Sequence, residues 1–247
     1  MLTYSSDIFN GVIVEPDSLP PDPNDFRSAL AETIGRWGQE GYQLAWIDIP
    51  AELVALIPEA VALGFMFHHT AGDALTLTLQ LQKGAFVPPP ASHYVGVGGM
   101  VLSEDDEILV VQERRHIQTR PGFYKLPGGL LDQGETIARA VEREVREETG
   151  VRAEFDCLVG YFSHQMTWQF GKSALYHICR LTPLSRDIII DEQEIAEAKW
   201  MPVAEFMALE TTHTFNKNLV QMVRKGIGMR PVDWPALTDA VEVFAPS

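Results

Sequence analysis

The sequence predicts an α/β protein of two domains, and two observations carry that prediction. Short strand-like apolar segments alternate with amphipathic helical segments along most of the chain. Three consecutive prolines, Pro88–Pro90, interrupt this alternation, and such a run can continue neither a helix nor a central strand. We therefore predict a smaller N-terminal α/β domain over residues 1–87 and a larger domain over residues 88–247.

The N-terminal domain is predicted to be a β-α-β-α-β-β unit. Asp22 supplies N-cap chemistry for an amphipathic helix that runs to about Gln39, and Gly64 ends a second helix. Apolar segments bounded by Pro, Gly and Asp are typical of strands. The predicted strands are 8–14, 42–49, 65–69 and 74–81, and the second helix is 51–63.

The larger domain is predicted to contain more strands and one strongly amphipathic helix, from Thr136 to Thr149. Predicted strands are 94–102, 107–112, 155–163, 174–180 and 199–201, with C-terminal helices over 203–209 and 214–225. Gly96-Val97-Gly98-Gly99 lacks the third glycine of a dinucleotide fingerprint, so close backbone packing in a strand is expected. His68 and His69 are adjacent in a strand, so we expect their rings to lie on opposite faces.

Composition limits the partners that this chain can have. Its 247 residues carry 19 Lys and Arg against 34 Asp and Glu, a net charge of −15. Nucleic acids and anionic membranes need basic surfaces, so neither is an expected partner. The chain has no apolar run of the roughly 20 residues that a bilayer span needs, nor a basic N-terminal leader. A cytoplasmic protein is expected, with Cys157 and Cys179 reduced and buried. Any phosphate chemistry would have to use metal ions.

Three glutamates on the predicted helix suggest a metal site. Glu144, Glu147 and Glu148 share one helix face at about 100° per residue, and three anions so close repel one another unless cations lie between them. On the helical wheel Glu148 falls inside the apolar stripe, between Ile137 and Val141. A carboxylate there must be paired or metal-bound. Carboxylates without Cys or His neighbours favour Mg²⁺ or Mn²⁺ over Zn²⁺.

The alternative is an ordinary solvated helix surface. In that case Glu142 would pair with Arg146, and Arg143 with Glu147, at i, i+4 spacing. The position of Glu148 within the apolar stripe argues against this interpretation.

The spacing G-x5-E-x7-R-E-U-x-E-E-x-G-U, with U apolar, resembles the Nudix box. Every fixed position is satisfied, by Gly129, Glu135, Arg143, Glu144, Val145, Glu147, Glu148, Gly150 and Val151. The preceding Lys125-Leu126-Pro127-Gly128 and the later segment around Trp200 are also similar to Nudix sequences. The resemblance covers roughly residues 92–225 and implies a Nudix α/β/α sandwich.

The resemblance also implies an activity and a set of roles. Nudix hydrolases cleave a nucleoside diphosphate linked to another moiety, with a metal-activated water attacking phosphorus. The Gly128 carbonyl and Glu144, Glu147 and Glu148 would bind Mg²⁺, with Mn²⁺ as a substitute, while Arg143 and Glu135 would orient the metal-binding glutamates. Arg143 and Glu144 are expected to be catalytic. A downstream Glu often adds a ligand or base, and Glu194 is our candidate.

The remaining assignments are more open. Asp191, Glu192 and Glu197 compete with Glu194 for the role of base. Arg114 and Arg120, from the basic cluster before the box, are expected to contact substrate phosphates, with ordinary solvated charge as the alternative. Lys125 is another expected substrate contact, and so is Trp168, which would stack on a base unless it only packs.

The N-terminal half resembles the pre-Nudix domain of a plant and animal subgroup. The resemblance rests on Gly64-Phe65-x-Phe67-His68-His69 and on residues 91–98, and it implies an α/β module like half of an acetyltransferase. By analogy the substrate would be a nucleotide-derived small molecule such as NADH or ADP-ribose, and we expect a homodimer. The rival functions are a non-catalytic ligand sensor or interaction module, and an isopentenyl-diphosphate-type isomerase, which would need an active-site Cys.

Overall fold

The computed structural model describes residues 2–165, 171–232 and 241–246, and it divides the chain into two compact units, Met1–Ser92 and His93–Ser247. Each unit has its own apolar core. No helix among the described residues is long and apolar enough to cross a bilayer.

The N-terminal unit is a five-stranded sheet with helices packed against it. Its elements are β1 Tyr4–Ser6, β2 Gly11–Val14, α1 Pro23–Glu40, β3 Leu44–Pro50, α2 Ile57–Ala62, β4 Met66–Ala71 and β5 Ala74–Gln80. The strand order is β1-β2-β3-β5-β4, in which only β2 and β3 are parallel. Phe26, Leu30 and Trp37 from α1 are fully buried in the core of this unit, so the predicted α/β class is confirmed.

Two predicted elements of this unit differ in the structure. The predicted strand over 8–14 begins only at Gly11, because the Asp7 side chain accepts hydrogen bonds from the N–H groups of Phe9 and Gly11 and closes a turn. The predicted helix over 51–63 is split. Its first half, Ala51–Leu56, is a 3-10 helix with non-helical backbone at Leu53, and α2 starts afresh with a proline in its first turn.

The expectation for the two histidines was wrong. The pairing of β4 with β5 shifts between Phe67 and His69, which marks a bulge. A bulge breaks the alternation of side chains, and the Nδ1 atoms of His68 and His69 lie 2.7 Å apart.

The second unit is an α/β/α sandwich over its described residues. Its elements are β6 His93–Val101, β7 Glu107–Glu113, α3 Ile137–Thr149, β8 Ala153–His164, β9 Ser173–Pro183, β10 Ile195–Pro202, α4 Val203–Ala208, α5 Thr214–Lys225, β11 Met229–Pro231 and β12 Phe244–Pro246. One sheet has the order β12-β11-β8-β9-β6, with β6 parallel to β9, and the other pairs β7 with β10. Sequence analysis did not predict β11 and β12, because three residues are too few to show an alternating pattern.

Alternating side chains of β7 enter two cores. Leu109 packs with α3, whereas Ile108 and Val110 pack in the cluster that contains residues of α4 and α5. Helix α3 packs closely against β6 because β6 has a glycine at the point of contact. A Cβ atom at Gly99 would lie 2.9 Å from Val145 and 3.0 Å from Val141. The prediction of close backbone packing at this glycine-rich strand is therefore confirmed.

Candidate active site

Helix α3 carries the predicted carboxylates, and its two ends are held differently. At its C-terminus Gly150 adopts the left-handed conformation, φ 71°, and its N–H donates to Arg146 O. At its N-terminus the Thr136 side chain makes no capping hydrogen bond. The N–H groups of Ile137 and Ala138 instead donate to the carboxylate of Glu242, at 2.6 and 3.1 Å. The start of α3 is thus capped by a residue more than a hundred positions away.

Glu148 is buried on the inner face of α3. It is 7% exposed and shares that face with fully buried Val141 and Val145. Its Oε2 accepts from Gly128 N at 2.9 Å, and its Oε1 lies 3.4 Å from Lys125 Nζ. Burial raises the pKa of Glu148 to about 7, against the opposing charge of Lys125. The solvated-surface interpretation is therefore wrong for this residue.

Glu144 faces the same loop one turn earlier. Its side chain is 15% exposed, and burial raises its pKa while Arg143 opposes the shift. A Cβ atom at Gly129 would lie 2.6 Å from Glu144 Oε1. Only glycine at this position allows the loop and the carboxylate to approach so closely.

Arg143 holds three glutamates together. Its Nε and Nη2 donate to the two oxygens of Glu135, both at 2.8 Å, and its Nη1 donates to Glu144 at 3.0 Å and Glu147 at 2.9 Å. Hydrogen bonds from Arg143 are the main cause of the lowered pKa of Glu135. The guanidinium of Arg143 thus lies between Glu144 and Glu147 on the helix.

Glu147 differs from its two neighbours. Its side chain is 54% exposed and is turned toward Arg143, so the predicted Arg143–Glu147 pair forms. The predicted Glu142–Arg146 pair is not found among the described residues, since Glu142 accepts from Phe155 N at 2.8 Å. Nor do three His, Cys, Asp or Glu side chains converge on one point in the described parts of the chain. For Glu147 to join Glu144 and Glu148 as a ligand, it must leave Arg143.

The loop before α3 is fixed between two strands. Lys125 and Val111 exchange backbone hydrogen bonds of 3.0 and 2.9 Å, and farther along Gly99 N donates to Pro127 O and Val97 N to Gly129 O. Gly128 has φ 151°, and a Cβ atom there would lie 2.2 Å from Val97 O. No larger residue fits at this position. The close approach of Gly128 to β6 leaves its N–H group beside Glu148.

Gly128, Gly129, Glu144 and Glu148, but not Glu147, line a cavity of about 400 Å³, within the size range of small-molecule sites. Its other lining residues are Glu113, Arg115, Lys125, Gln193, Glu194 and Ile195. A more apolar pocket of about 330 Å³ shares five residues with it and adds Tyr94, Gly96, Leu130, Ala174 and Tyr176. A charged cavity thus continues into a pocket with aromatic walls.

The predicted substrate contacts are only partly brought together. Lys125 lines the cavity. Among the cavity-lining residues of the described chain, Arg115 takes the place expected for Arg114, whose Nη2 lies 3.5 Å from Ile195 O. Arg120 lies over the Phe123 ring at 5.5 Å instead of lining the cavity. Trp168 lies outside the described residues. Of the four candidate bases, all within the described segments, only Glu194 lines the cavity, whereas Glu197 accepts from the hydroxyl of Tyr124.

Sequence reasoning missed Glu113. It ends β7 and lies opposite Ile195 in the register of β7 and β10, so strand pairing brings it beside Glu194. Burial alone would raise the pKa of Glu113, but Arg115 and Lys125 outweigh burial and lower it to about 2. A carboxylate at the end of an apolar strand was the available signal, but its neighbours follow only from strand register.

Both cysteines lie away from the cavity. Cys157 and Cys179 are buried and form no disulfide, as expected, and burial raises the pKa of each thiol. Neither lines any described pocket of the site, so the isomerase alternative has no cysteine where it needs one.

Residues 92–223, more than half of the chain, match the NUDIX domain family. The chain belongs to the Nudix family. Residues 2–81 match a second family model, described as a Nudix hydrolase domain, which agrees with the resemblance found for the N-terminal half. Members of the family are hydrolases of nucleoside diphosphate-linked substrates and generally use divalent metal ions.

Several curated relatives are similar over most of this Nudix chain. It is 41% identical to Nudix hydrolase 8 of Arabidopsis thaliana, over 84% of this chain and 56% of that protein. It is 38% identical to Nudix hydrolase 2 of the same plant, over 84% of this chain and 74% of that protein. It is 36% identical to the human protein named nucleoside diphosphate-linked moiety X motif 6, over 83% of this chain and 65% of that protein. The chain therefore spans about half the length of Nudix hydrolase 8.

Proposed function

We propose that this chain is a Mg²⁺-dependent pyrophosphohydrolase of a nucleoside diphosphate linked to another moiety, with NADH and ADP-ribose as the preferred class. The observation that carries the proposal is the buried Glu148 beside Gly128 and Glu144 at the wall of a charged cavity. Burying a carboxylate is costly unless a cation balances it.

The donor atoms fit Mg²⁺ or Mn²⁺. All of them are oxygens, from Glu144, Glu147, Glu148 and the Gly128 carbonyl, and hard divalent cations prefer oxygen. Glu148 accepts from Gly128 N and Glu144 lies against Gly129, so both carboxylates adjoin the loop that carries the Gly128 carbonyl, whereas Glu147 would have to turn away from Arg143 to join them. When bound, the metal would lower the pKa of a water molecule and neutralise the pyrophosphate charge.

The protein's own residues would position the substrate and move the proton. Arg143 and Glu135 hold Glu144 in place through their shared hydrogen bonds. Lys125 and Arg115 would bind phosphate oxygens, and Glu194 would accept the proton of the attacking water. The pocket lined by Tyr94, Leu130 and Tyr176 suits the second moiety of the substrate.

A substrate panel tests this function. NADH, ADP-ribose, sugar nucleotides, coenzyme A and dinucleoside polyphosphates are incubated with Mg²⁺, Mn²⁺ or EDTA, and released nucleoside monophosphate is measured. We expect metal-dependent release from NADH or ADP-ribose. Saturable binding without hydrolysis of any substrate would instead support the ligand-sensor alternative. The cytoplasmic homodimer stays a prediction, which light scattering and cell fractionation can check.

A further inference from the structure

Lys125 bonds to two oxygens of the proposed metal set. Its Nζ lies 3.3 Å from the Gly128 carbonyl oxygen and 3.4 Å from Glu148 Oε1. Its shortest contact, 2.7 Å, is to Glu113 Oε1 on the other side. The ammonium group therefore lies between two carboxylates, one of which belongs to the metal set and one of which does not.

Backbone pairing fixes this arrangement. Lys125 pairs directly with Val111 on β7, and Glu113 is two residues farther along the same strand, so both side chains project on one face. The side chains of Lys125 and Glu113 are only 22% and 12% exposed. Arg115 Nε also donates to Glu113, at 2.5 Å. Glu113 thus has a second cationic partner besides Lys125.

A divalent cation and an ammonium group on the same oxygens repel each other, so the two compete for them. Metal binding at Gly128 O and Glu148 would therefore favour withdrawal of Lys125 from both oxygens. The short contact to Glu113 is available for that purpose without moving Lys125 out of the cavity.

We propose that Glu113 is a positioning residue that retains Lys125 when the metal binds, and so keeps its ammonium group beside the substrate phosphates. The inference rests on the proposed function. Without Glu113, the remaining hydrogen-bond partners of the Lys125 ammonium group within the described parts of the chain would be the metal-binding oxygens, and Lys125 would compete for them. Glu113 therefore acts on metal affinity through Lys125 and not through its own charge alone.

A double-mutant cycle on Mn²⁺ affinity shows whether Glu113 acts through Lys125 or only through its own charge. Mn²⁺ binding to the full chain without substrate is measured by electron paramagnetic resonance for wild type, Glu113→Gln, Lys125→Gln and the double variant. We expect Glu113→Gln to weaken binding and Lys125→Gln to strengthen it, each by about 5-fold. In the Lys125→Gln background, Glu113→Gln should then change affinity by less than about 2-fold. If Glu113 acts only as a nearby negative charge, its effect is equal in both backgrounds, which would overturn the proposal.

Asp156→Asn is the matched control. Asp156 accepts from Arg180 Nε at 2.6 Å in the same unit and does not line the cavity, so Mn²⁺ affinity should stay unchanged. Should Glu113→Gln fail to fold by circular dichroism, Glu113→Asp, which keeps the charge but shortens the reach, takes its place in the cycle with the same signs. A wild type without saturable Mn²⁺ binding, or binding that Glu148→Gln leaves intact, would overturn the proposed function together with this inference. If Mn²⁺ binds and the binding requires Glu148, but the effects of Glu113→Gln and Lys125→Gln on affinity are additive, this inference alone is overturned.

Discussion

Helices α1 and α3 pack against the sheets of their own units, but they are stabilised in opposite ways. In α1 the cap is local, because the Asp22 side chain accepts from Asn24 N and Asp25 N. Its buried residues are Phe26, Leu30, Thr33 and Trp37. In α3 the cap comes from Glu242, and the buried set includes Glu148. The cap of α1 can be predicted from its own sequence, whereas the cap of α3 comes from a distant segment.

The difference shows that the helix with the proposed metal ligands lacks features that usually stabilise a helix. A buried carboxylate and a missing local cap both weaken a helix, and both occur on the helix with the Nudix glutamates. Arg143, Lys125 and Glu242 compensate from within and beyond the helix. Proteins commonly break local rules at sites that bind or react and compensate elsewhere.

Replacing Glu148 should have the largest effect on activity. Glu148→Gln keeps the shape of the side chain but removes a charged oxygen from the proposed metal set. Turnover should fall by at least about 10²-fold with the fold intact, as expected when stabilisation of transition-state charge is lost. Steady-state kinetics on the best substrate of the panel, with circular dichroism, checks this.

Glu142→Gln is the matched control for that variant on the same helix. Glu142 accepts from Phe155 N, and glutamine keeps an acceptor oxygen there. Its activity should be close to that of wild type. Equal losses in both variants would point to general weakening of α3, and full activity in Glu148→Gln would disprove its role as a ligand.

Arg143→Lys should have the next largest effect. Lysine keeps the charge but cannot reproduce the paired hydrogen bonds to Glu135 together with the bonds to Glu144 and Glu147. We expect kcat to fall by about 10- to 10²-fold. Arg139→Lys, on the exposed side of α3, should leave kcat unchanged. Equal kcat values for wild type and Arg143→Lys would show that its charge alone suffices.

The burial of Glu148 predicts a pH-dependent stability in EDTA. Its pKa is raised from 4.5 to about 7, so the folded protein holds this proton more tightly than the unfolded chain. The contribution of this proton to the free energy of unfolding is fully present below about pH 4.5 and is lost as the pH rises through about 7. At pH 8 Glu148→Gln should therefore be more stable than wild type by up to about 3 kcal/mol.

Urea unfolding followed at several pH values measures this difference, which should shrink toward pH 5. The sign follows from the raised pKa, because wild type carries the buried charge only at the higher pH. A difference of the same size at pH 5 and pH 8 would mean that packing, and not ionisation, is responsible.

The two caps should give the smallest effects. Asp22→Ala and Glu242→Ala each remove acceptors from the first turn of a helix. Each should lower the free energy of unfolding by about 1 kcal/mol. Amide exchange should quicken at Asn24 and Asp25 in the first variant and at Ile137 and Ala138 in the second. If Glu242→Ala left exchange at the start of α3 unchanged, the C-terminal segment would not be the cap of that helix.

Local patterns predicted most of the fold. The apolar periodicity of 137–149 and the glycine at position 150 predicted α3 within one residue, and α5 was predicted at Thr214–Lys225. Shorter elements were less accurate, since β10 was predicted over 199–201 and extends over Ile195–Pro202. Its extra length follows from pairing with β7, a long-range contact that no local pattern contains.

For the site, the sequence by itself determined the residues of the box and the burial of Glu148, because helical geometry fixes which side chains share a face. Only the tertiary structure decided that Lys125 and Glu113 adjoin Glu148, that Arg115 and not Arg114 lines the cavity, and that Glu242 caps α3. These contacts join segments that are distant in the chain, through strand register and loop path. Their distances depend on how the whole unit packs, and no local periodicity encodes that.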